Sequence, residues 1–217
     1  MSDHNYVNSN SVSAVLLISP TCPHCASLLE ILSKLVKVGD IGSLEIVNIA
    51  TLPERASAYG VRSVPWLRLG PFELEGARTE GDIRHWLGKI DSEEGMAEYM
   101  ADLLANGNLE KVINVVKENP ELLRHLISVT GNPETELKVQ LGIGAVFEEL
   151  EGSSILENFV VSLGKLTKHA SPKVRADAAH YLSYTASQAA LPYLEVLKND
   201  ENSDVREIAV EAIDKLR

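Results

Sequence analysis

Apolar runs and amphipathic stretches alternate through the first ninety residues. Residues 12–18 form an apolar run that predicts a buried strand, and residues 28–38 carry apolar positions at helical spacing. Further strands are predicted over residues 44–49, 66–69 and 72–74. Short helices are predicted over residues 53–59 and 80–89, the second with Thr79 as N-cap and Asp82 three residues later. The order strand, helix, strand, helix, strand, strand, helix predicts an α/β domain.

Beyond residue 95 the pattern is helical throughout. Helix-length segments, separated by residues such as Gly107 and Pro120, cover residues 94–106, 109–118, 121–130, 135–150, 154–168, 173–185, 188–198 and 204–216. In the last segment one face collects the apolar residues Val205, Ile208, Ala209, Ala212, Ile213 and Leu216. The predicted organisation is a polar tail (1–12), an α/β domain (13–90), a linker (91–95) and an all-helical domain (96–217).

An internal repeat lies in the helical half. Residues 172–182 align with residues 203–213 at a constant offset of 31, so that Arg175 pairs with Arg206. This helix–turn–helix resembles a short HEAT repeat, and a degraded third copy is a candidate from residue 136. We predict that the two arginines pair with carboxylates between stacked helices; the alternative is a ridge for an acidic ligand.

The motif that carries chemistry is Cys22-Pro23-His24-Cys25, between the first predicted strand and helix. Two cysteines at this spacing and place are typical of a redox pair. Cys22 is predicted at the helix N-terminus, where unpaired N–H groups favour a thiolate, and Pro23 at the first helical position. Cys25 would be close enough to attack a mixed disulfide on Cys22, and His24 would add positive charge or a hydrogen bond.

Three other interpretations of the cysteines are open. They are two buried structural thiols, half of a zinc site, and a permanent disulfide, although so short a loop would cross-link almost no chain. The chain has two cysteines and scattered histidines, so four zinc ligands would require a dimer or an unusual convergence. We therefore expect no metal and no cofactor, and we favour a redox role.

From residue 13 to residue 87 the chain resembles the thioredoxin superfamily. Residues 60–65, ending in Val64-Pro65, resemble the family's cis-proline loop, which lies beside the cysteine pair. The resemblance implies a thioredoxin fold and a reversible Cys22–Cys25 disulfide. The site it implies comprises Cys22 as attacking thiol, Cys25 as resolving thiol, His24 as the residue that tunes the thiolate, Pro65 orienting the substrate backbone, and substrate contacts at Val64, Trp66 and Gly76. For Trp66 the alternative is core packing.

Within the superfamily, C-P-H-C combined with Val64-Pro65 is similar to bacterial thiol oxidases of the DsbA type, whereas thioredoxins carry C-G-P-C. Two departures accompany the resemblance. No long helical insertion separates the cysteine helix from Pro65, and residues 14–18 are wholly apolar where thioredoxins carry a buried Asp. The direction of electron flow is therefore left open.

Charge is shared unevenly between the halves. Residues 1–90 carry 9 acidic and 8 basic side chains, and residues 91–217 carry 22 and 12. The acidity of the second half argues against nucleic acid as a partner. It is compatible with a partner protein that has a basic surface, or with a face that is merely solvated.

The polar N-terminus has no basic region, and no apolar stretch is long enough to span a membrane. We expect a cytoplasmic protein.

Two functional hypotheses are compatible with these patterns. The first is a cytoplasmic thiol–disulfide oxidoreductase that acts on a protein substrate positioned by the helical repeats. The second is a protein-interaction scaffold whose thioredoxin-like domain is a redox-responsive or non-catalytic handle. The intact cysteine pair favours the first, because a scaffold has no need of it.

Overall fold

The computed structural model describes residues 11–217, so most of the predicted polar tail lies outside the described residues. The chain divides into two compact units, Met1–Gly95 and Met96–Arg217. The predicted linker overlaps the start of a helix that begins at Glu93.

The first unit has the predicted element order. Its elements are β1 (Ser13–Ile18), α1 (Cys25–Val38), β2 (Ser43–Asn48), α2 (Pro53–Ala58), β3 (Trp66–Leu69), β4 (Phe72–Glu75) and α3 (Glu80–Leu87). Within the described residues the strands form one mixed sheet in the order β2-β1-β3-β4. β2 runs parallel to β1, β3 antiparallel to β1, and β4 antiparallel to β3. The α/β fold predicted for this part of the chain is confirmed.

The core of this unit is built on β1, which lies between two other strands. Val15 and Leu17 pack in a cluster with Val47 and Trp66. The alternate residues of β1 are buried as well, so both faces of the strand are covered. A central strand buried on both faces must be continuously apolar, which explains its sequence.

Two local signals fix the helices of this unit. α1 ends at Gly39, whose φ of +89° is left-handed and whose N–H donates to the carbonyl oxygens of Leu35 and Val36. α3 begins with the predicted cap: the Thr79 hydroxyl accepts from the Asp82 N–H at 3.2 Å, and the Thr79 N–H donates to the Asp82 carboxylate at 2.8 Å.

The second unit is built of helices joined by turns, and its first helix begins at Glu93, just before the boundary between the units. Its helices are α4 (Glu93–Ala105), α5 (Leu109–Glu118), α6 (Leu123–Thr130), α7 (Leu137–Glu149), α8 (Ser154–Glu157), α9 (Val160–Leu166), α10 (Pro172–Tyr184), α11 (Leu191–Leu197) and α12 (Ser203–Leu216), with 3₁₀ turns at Pro120–Leu122 and Gln188–Ala190. α12 packs against α10 and α11. On α12 the predicted apolar face is buried except for Ile208, which is partly exposed.

One predicted helix is wrong in its extent. Residues 154–168 form α8 and α9 instead of a single helix, with a break at Asn158 and Phe159. The Phe159 N–H donates to the Leu156 carbonyl oxygen three residues back at 3.0 Å, which tightens the chain there, and the Phe159 side chain is buried.

Among residues 11–217, no helix combines the length and the apolar character needed to cross a membrane.

Candidate active site

The cysteine pair lies in the turn between β1 and α1. Cys22 and Cys25 form a disulfide, with their Cα atoms 5.5 Å apart. The Cys22 N–H donates to the Ser19 carbonyl oxygen at 3.2 Å, which holds the turn that leaves the end of β1. The predicted cysteine pair is thus joined as a disulfide.

The start of α1 differs from the prediction. The helix begins at Cys25, with His24 as N-cap, and its first bond runs from the Leu28 N–H to the His24 carbonyl oxygen at 3.2 Å. Cys22 therefore precedes the helix, and Pro23 lies in the turn instead of at the first helical position. The reason is the turn bond of Cys22, which keeps that residue outside the helical ladder. The Cys22 sulfur still lies at the helix N-terminus, because it is bonded to the first helical residue.

Exposure distinguishes the two sulfur-bearing residues. Cys22 is partly exposed, whereas Cys25 is only 4% exposed. Pro23 and His24 between them are exposed. A second molecule can therefore approach Cys22 but not Cys25, which is the asymmetry that attack by one thiol and resolution by the other requires.

The loop before β3 reaches the same end of the sheet. The Val64–Pro65 peptide bond is cis, as predicted. Leu17 of β1 pairs with Trp66 of β3, so Pro65 falls at the end of β1 from which the cysteine turn departs. Pro65 is buried and Val64 is partly exposed.

Gly76 joins this end of the sheet from β4. Trp66 pairs with Glu75, so Gly76 follows opposite Pro65, and the Gly76 N–H donates to the Pro65 carbonyl oxygen at 2.9 Å. Gly76 has a φ of +79°, a conformation that favours glycine. The register thus brings three predicted segments to one sheet end: the cysteine turn, the Val64–Pro65 loop and the Gly76 loop.

Trp66 does not belong to this surface. Its side chain is 1% exposed and stacks on Tyr59, with ring centroids 5.0 Å apart. The alternation of β3 points the indole into the core cluster of Val15, Leu17 and Val47. The expected substrate contact by Trp66 is therefore replaced by core packing.

Sequence reasoning missed Arg78, two residues after Gly76. Its side chain is partly exposed, and its Nε is buried without a hydrogen-bond partner in the described part of the chain. A buried donor without a partner is unfavourable for stability, and such groups in native proteins commonly have a functional reason. The only sequence signal was a cation in a loop beside the predicted site.

An ion-pair network fixes α3 against α1. Lys34 bonds to Glu80 at 2.7 Å, and Arg84 bonds to Glu80 at 2.9 Å and to Asp40 at 2.7 Å. The hydrogen bonds from Lys34 and then Arg84 lower the pKa of Glu80. Exposed pairs contribute little individually, but together they tie the helix after the Gly76 loop to the cysteine helix.

The three histidines of the helical unit are buried or lie in hydrogen-bonding distance of neighbouring residues. His125 is 4% exposed, His169 Nδ1 accepts the Ser171 N–H at 3.0 Å, and His180 Nε2 lies 3.0 Å from the Tyr184 hydroxyl. Burial first, and Lys215 next, lower the pKa of His180. Among residues 11–217 no group of three or more His, Cys, Asp or Glu side chains is placed to hold a metal ion.

The predicted ion pair of Arg175 is confirmed. Both oxygens of the Asp200 carboxylate accept from its guanidinium at 2.7 Å, and the two side chains are 9% and 7% exposed. Arg206 differs, because its described hydrogen bonds go to backbone carbonyl oxygens instead of a carboxylate.

Comparison with known proteins finds matches in two separate parts of the chain. A family profile described as thioredoxin domain matches residues 13–88, and one described as HEAT repeats matches residues 160–217. A thioredoxin of Methanocaldococcus jannaschii is 30% identical over 73 residues, which are 33% of this chain and 86% of that protein. A probable thioredoxin of Archaeoglobus fulgidus is 31% identical over 88 residues, which are 40% of this chain and 93% of that protein.

Proposed function

Because the chain belongs to the thioredoxin family through residues 13–88, we propose that it is a thiol–disulfide oxidoreductase acting on a protein substrate. The observation that carries the proposal is the Cys22–Cys25 disulfide, with one partly exposed and one buried cysteine at the start of α1. A disulfide with this asymmetry can be opened from outside at Cys22 and closed again by Cys25.

The reaction is a two-step exchange. In the reduced protein the Cys22 thiolate attacks one sulfur of a substrate disulfide, forms a mixed disulfide and releases the other substrate sulfur as a thiolate that takes up a proton. The Cys25 thiol then loses its proton and attacks the Cys22 sulfur. The Cys22–Cys25 disulfide forms, and the second substrate thiol leaves. The cysteine pair loses two electrons to the substrate; of the two protons that the substrate thiolates take up, one is matched by the proton lost from Cys25 and the other comes from solvent, and the reverse sequence oxidises a dithiol.

The remaining site residues act on the substrate and on the thiolate. His24, exposed beside Cys22, supplies charge or a hydrogen bond to the Cys22 thiolate. Pro65, with Val64 and Gly76 next to it, orients the substrate backbone at the same sheet end. Arg78 lies two residues after Gly76 and is partly exposed, so it adds a cation to this loop, which favours a substrate that carries an acidic residue near its disulfide.

The helical repeats position the protein substrate in this proposal, and the setting is the cytoplasm. Support for positioning is that stacked repeats of the HEAT kind form extended surfaces suited to proteins. A reducing compartment is supported because both cysteines of the chain lie in the C-x-x-C motif. The chain therefore has no separate structural disulfide that would require an oxidising compartment.

A turnover assay tests the proposal. The full chain is mixed with a protein disulfide and dithiothreitol, and release of substrate thiols is followed beside Cys22→Ser and Cys25→Ser. Turnover by the wild-type chain and its loss in Cys22→Ser are expected. Cys25→Ser that has been reduced beforehand and is mixed with the same protein disulfide without dithiothreitol is expected to accumulate a mixed disulfide. Equal rates for the wild-type chain and Cys22→Ser would leave the interaction scaffold as the function.

A further inference from the structure

Arg175 shows how this repeat holds a carboxylate. Its Nε and Nη2 donate to the two oxygens of Asp200, each at 2.7 Å, while its Nη1 donates to the carbonyl oxygens of His169 and Ala170 at 2.9 Å. The carbonyl oxygens fix the orientation of the guanidinium, and the carboxylate binds its opposite edge in the bidentate geometry that arginine prefers.

Arg206 has half of the same arrangement. It stands 31 residues after Arg175, and its Nη1 donates to the carbonyl oxygens of Asp200 and Glu201 at 2.7 and 3.1 Å. These carbonyls precede Arg206 by six and five residues, as His169 and Ala170 precede Arg175. Arg206 is exposed, and among the described residues no carboxylate bonds to its Nε edge. The chain therefore presents a carboxylate-binding edge at its surface.

The exposed edge belongs to a stripe along α12. On α10 three positions, each four residues apart, are buried: Arg175, Ala179 and Ser183. The positions that correspond to them on α12 are exposed: Arg206, Val210 and Asp214. Residues four apart on a helix are neighbours, so these three side chains form one continuous stripe, with Val210 44% exposed at its centre. We call them the α12 stripe.

We propose that the α12 stripe docks a second copy of this chain. The stripe is its own complement, because a cation precedes the apolar centre by four residues and an anion follows it by four. Two α12 helices packed antiparallel about Val210 place Arg206 of each copy opposite Asp214 of the other. This is the isologous contact of a two-fold dimer, in which one patch serves both subunits.

The second copy fits the stripe better than a purely acidic partner does. An acidic partner would satisfy Arg206 but would face the like charge of Asp214 at the other end. In the dimer the Val210 side chains of the two copies pack on each other. The Asp214 carboxylate of each copy accepts hydrogen bonds from the Nε edge of Arg206 in the other copy, as Asp200 does from Arg175. The contact is two ion pairs around one apolar pair, at the weak end of interface sizes, so the dimer forms at high protein concentration.

Sedimentation velocity on the full chain tests the dimer, over a concentration series reaching about 1 mM, where weak complexes populate. The wild-type mass should rise from 23.7 kDa towards twice that value. Arg206→Asp, Asp214→Arg and Val210→Asp should each abolish the rise, and the double variant Arg206→Asp/Asp214→Arg should restore it because the charges exchange places.

The control variants carry the same changes in charge at exposed positions in the first unit. Lys37→Asp and Glu30→Arg, both on α1, should dimerise like the wild type. Far-ultraviolet circular dichroism checks that each variant is folded. A wild-type chain that stays at the monomer mass overturns the proposal, as does a double variant that behaves like the two single variants.

Discussion

Cys22 and Cys25 differ in how easily a second molecule reaches their sulfur atoms. Cys22 is partly exposed at the N-terminal end of α1, and Cys25 is 4% exposed. In the proposed mechanism the helix N-terminus and His24 stabilise a thiolate on Cys22. After reduction, iodoacetamide at about pH 6 should therefore alkylate Cys22 about tenfold faster than Cys25, or more. Mass mapping of the adducts after brief labelling measures the ratio.

The matching controls are Cys22→Ser and Cys25→Ser, in which the remaining cysteine is labelled alone, and the unfolded chain in urea. The ratio should fall to about one in urea, because both thiols then have the ordinary reactivity of an unfolded chain. Preferential labelling of Cys25 in the folded protein would reverse the roles proposed for the pair.

Single residues were predictable where local chemistry decides their place. The cysteine pair is recognisable from its spacing and Val64-Pro65 from the resemblance of residues 60–65 to the thioredoxin family's loop, and both lie at one end of the sheet. The burial of Trp66 was not predictable from its neighbours in the sequence. It depends on which face of β3 packs against the core, where the Trp66 ring stacks on Tyr59. Arg78 belongs to no motif, and no pattern in the sequence indicates that its Nε is buried without a hydrogen-bond partner.

At the scale of elements, the cap of α3 controls the helix that comes after the Gly76 loop. Thr79→Ala removes the hydroxyl that accepts the Asp82 N–H, which should lower the free energy of unfolding of the first unit by about 1 kcal/mol. Tryptophan fluorescence in urea reports this unit specifically, since both tryptophans of the chain, Trp66 and Trp86, lie in it. Ser27→Ala, an exposed change on α1, should leave the midpoint unmoved; an equal shift for both variants would refute the cap.

The Arg175–Asp200 pair joins α10 to the loop before α12. The hydrogen bond from Arg175 lowers the pKa of Asp200, so the stabilisation is present above the ordinary aspartate pKa and is lost as the pH falls through the lowered one. Asp200→Asn leaves a buried guanidinium without its anion and should destabilise the helical unit by about 3 kcal/mol at neutral pH. Urea unfolding followed by circular dichroism measures the loss.

The control for this pair is Glu201→Gln. Glu201 also approaches Arg175, at 3.4 Å, but its side chain is 85% exposed, so its loss should cost at most about 0.5 kcal/mol. The difference between the wild-type chain and Asp200→Asn should shrink as the pH falls below about 4, because protonation removes the same charge. A difference that stays constant down to about pH 2 would show that the ion pair is not its source.

Helix existence was predictable from periodicity, but helix ends were not. The apolar spacing continues through residues 154–168, although the chain breaks at Asn158 and Phe159, because the break is set by where Phe159 is buried. The start of α1 shifted for a similar reason: one turn bond from Cys22 decides it, and no residue type announces that bond.

For the whole molecule, the 31-residue offset had the most predictive value. It predicted the repeat that the HEAT profile matches and the buried pair of Arg175. It did not predict that Arg206 would bond to backbone carbonyls, because the carboxylate that completes the arrangement at Arg175 comes from a different element. A repeat pattern predicts the contacts within each repeat. The contacts of an outer helix face depend instead on which element, if any, is stacked against that face.

The division into two units makes the proposed substrate positioning testable. The thioredoxin-domain profile matches residues 13–88, which lie within the first compact unit, so a protein of residues 1–95 should fold. That shortened protein should reduce a small generic disulfide within about twofold of the full chain's rate, because the cysteine pair and the Pro65 loop both lie within it. In the Cys25→Ser background it should trap much less physiological substrate, because a second binding site raises the effective concentration of the first. Equal trapping by both lengths would mean that the helical unit does not recruit substrate, and loss of the small-disulfide activity would mean that the reaction itself needs both units.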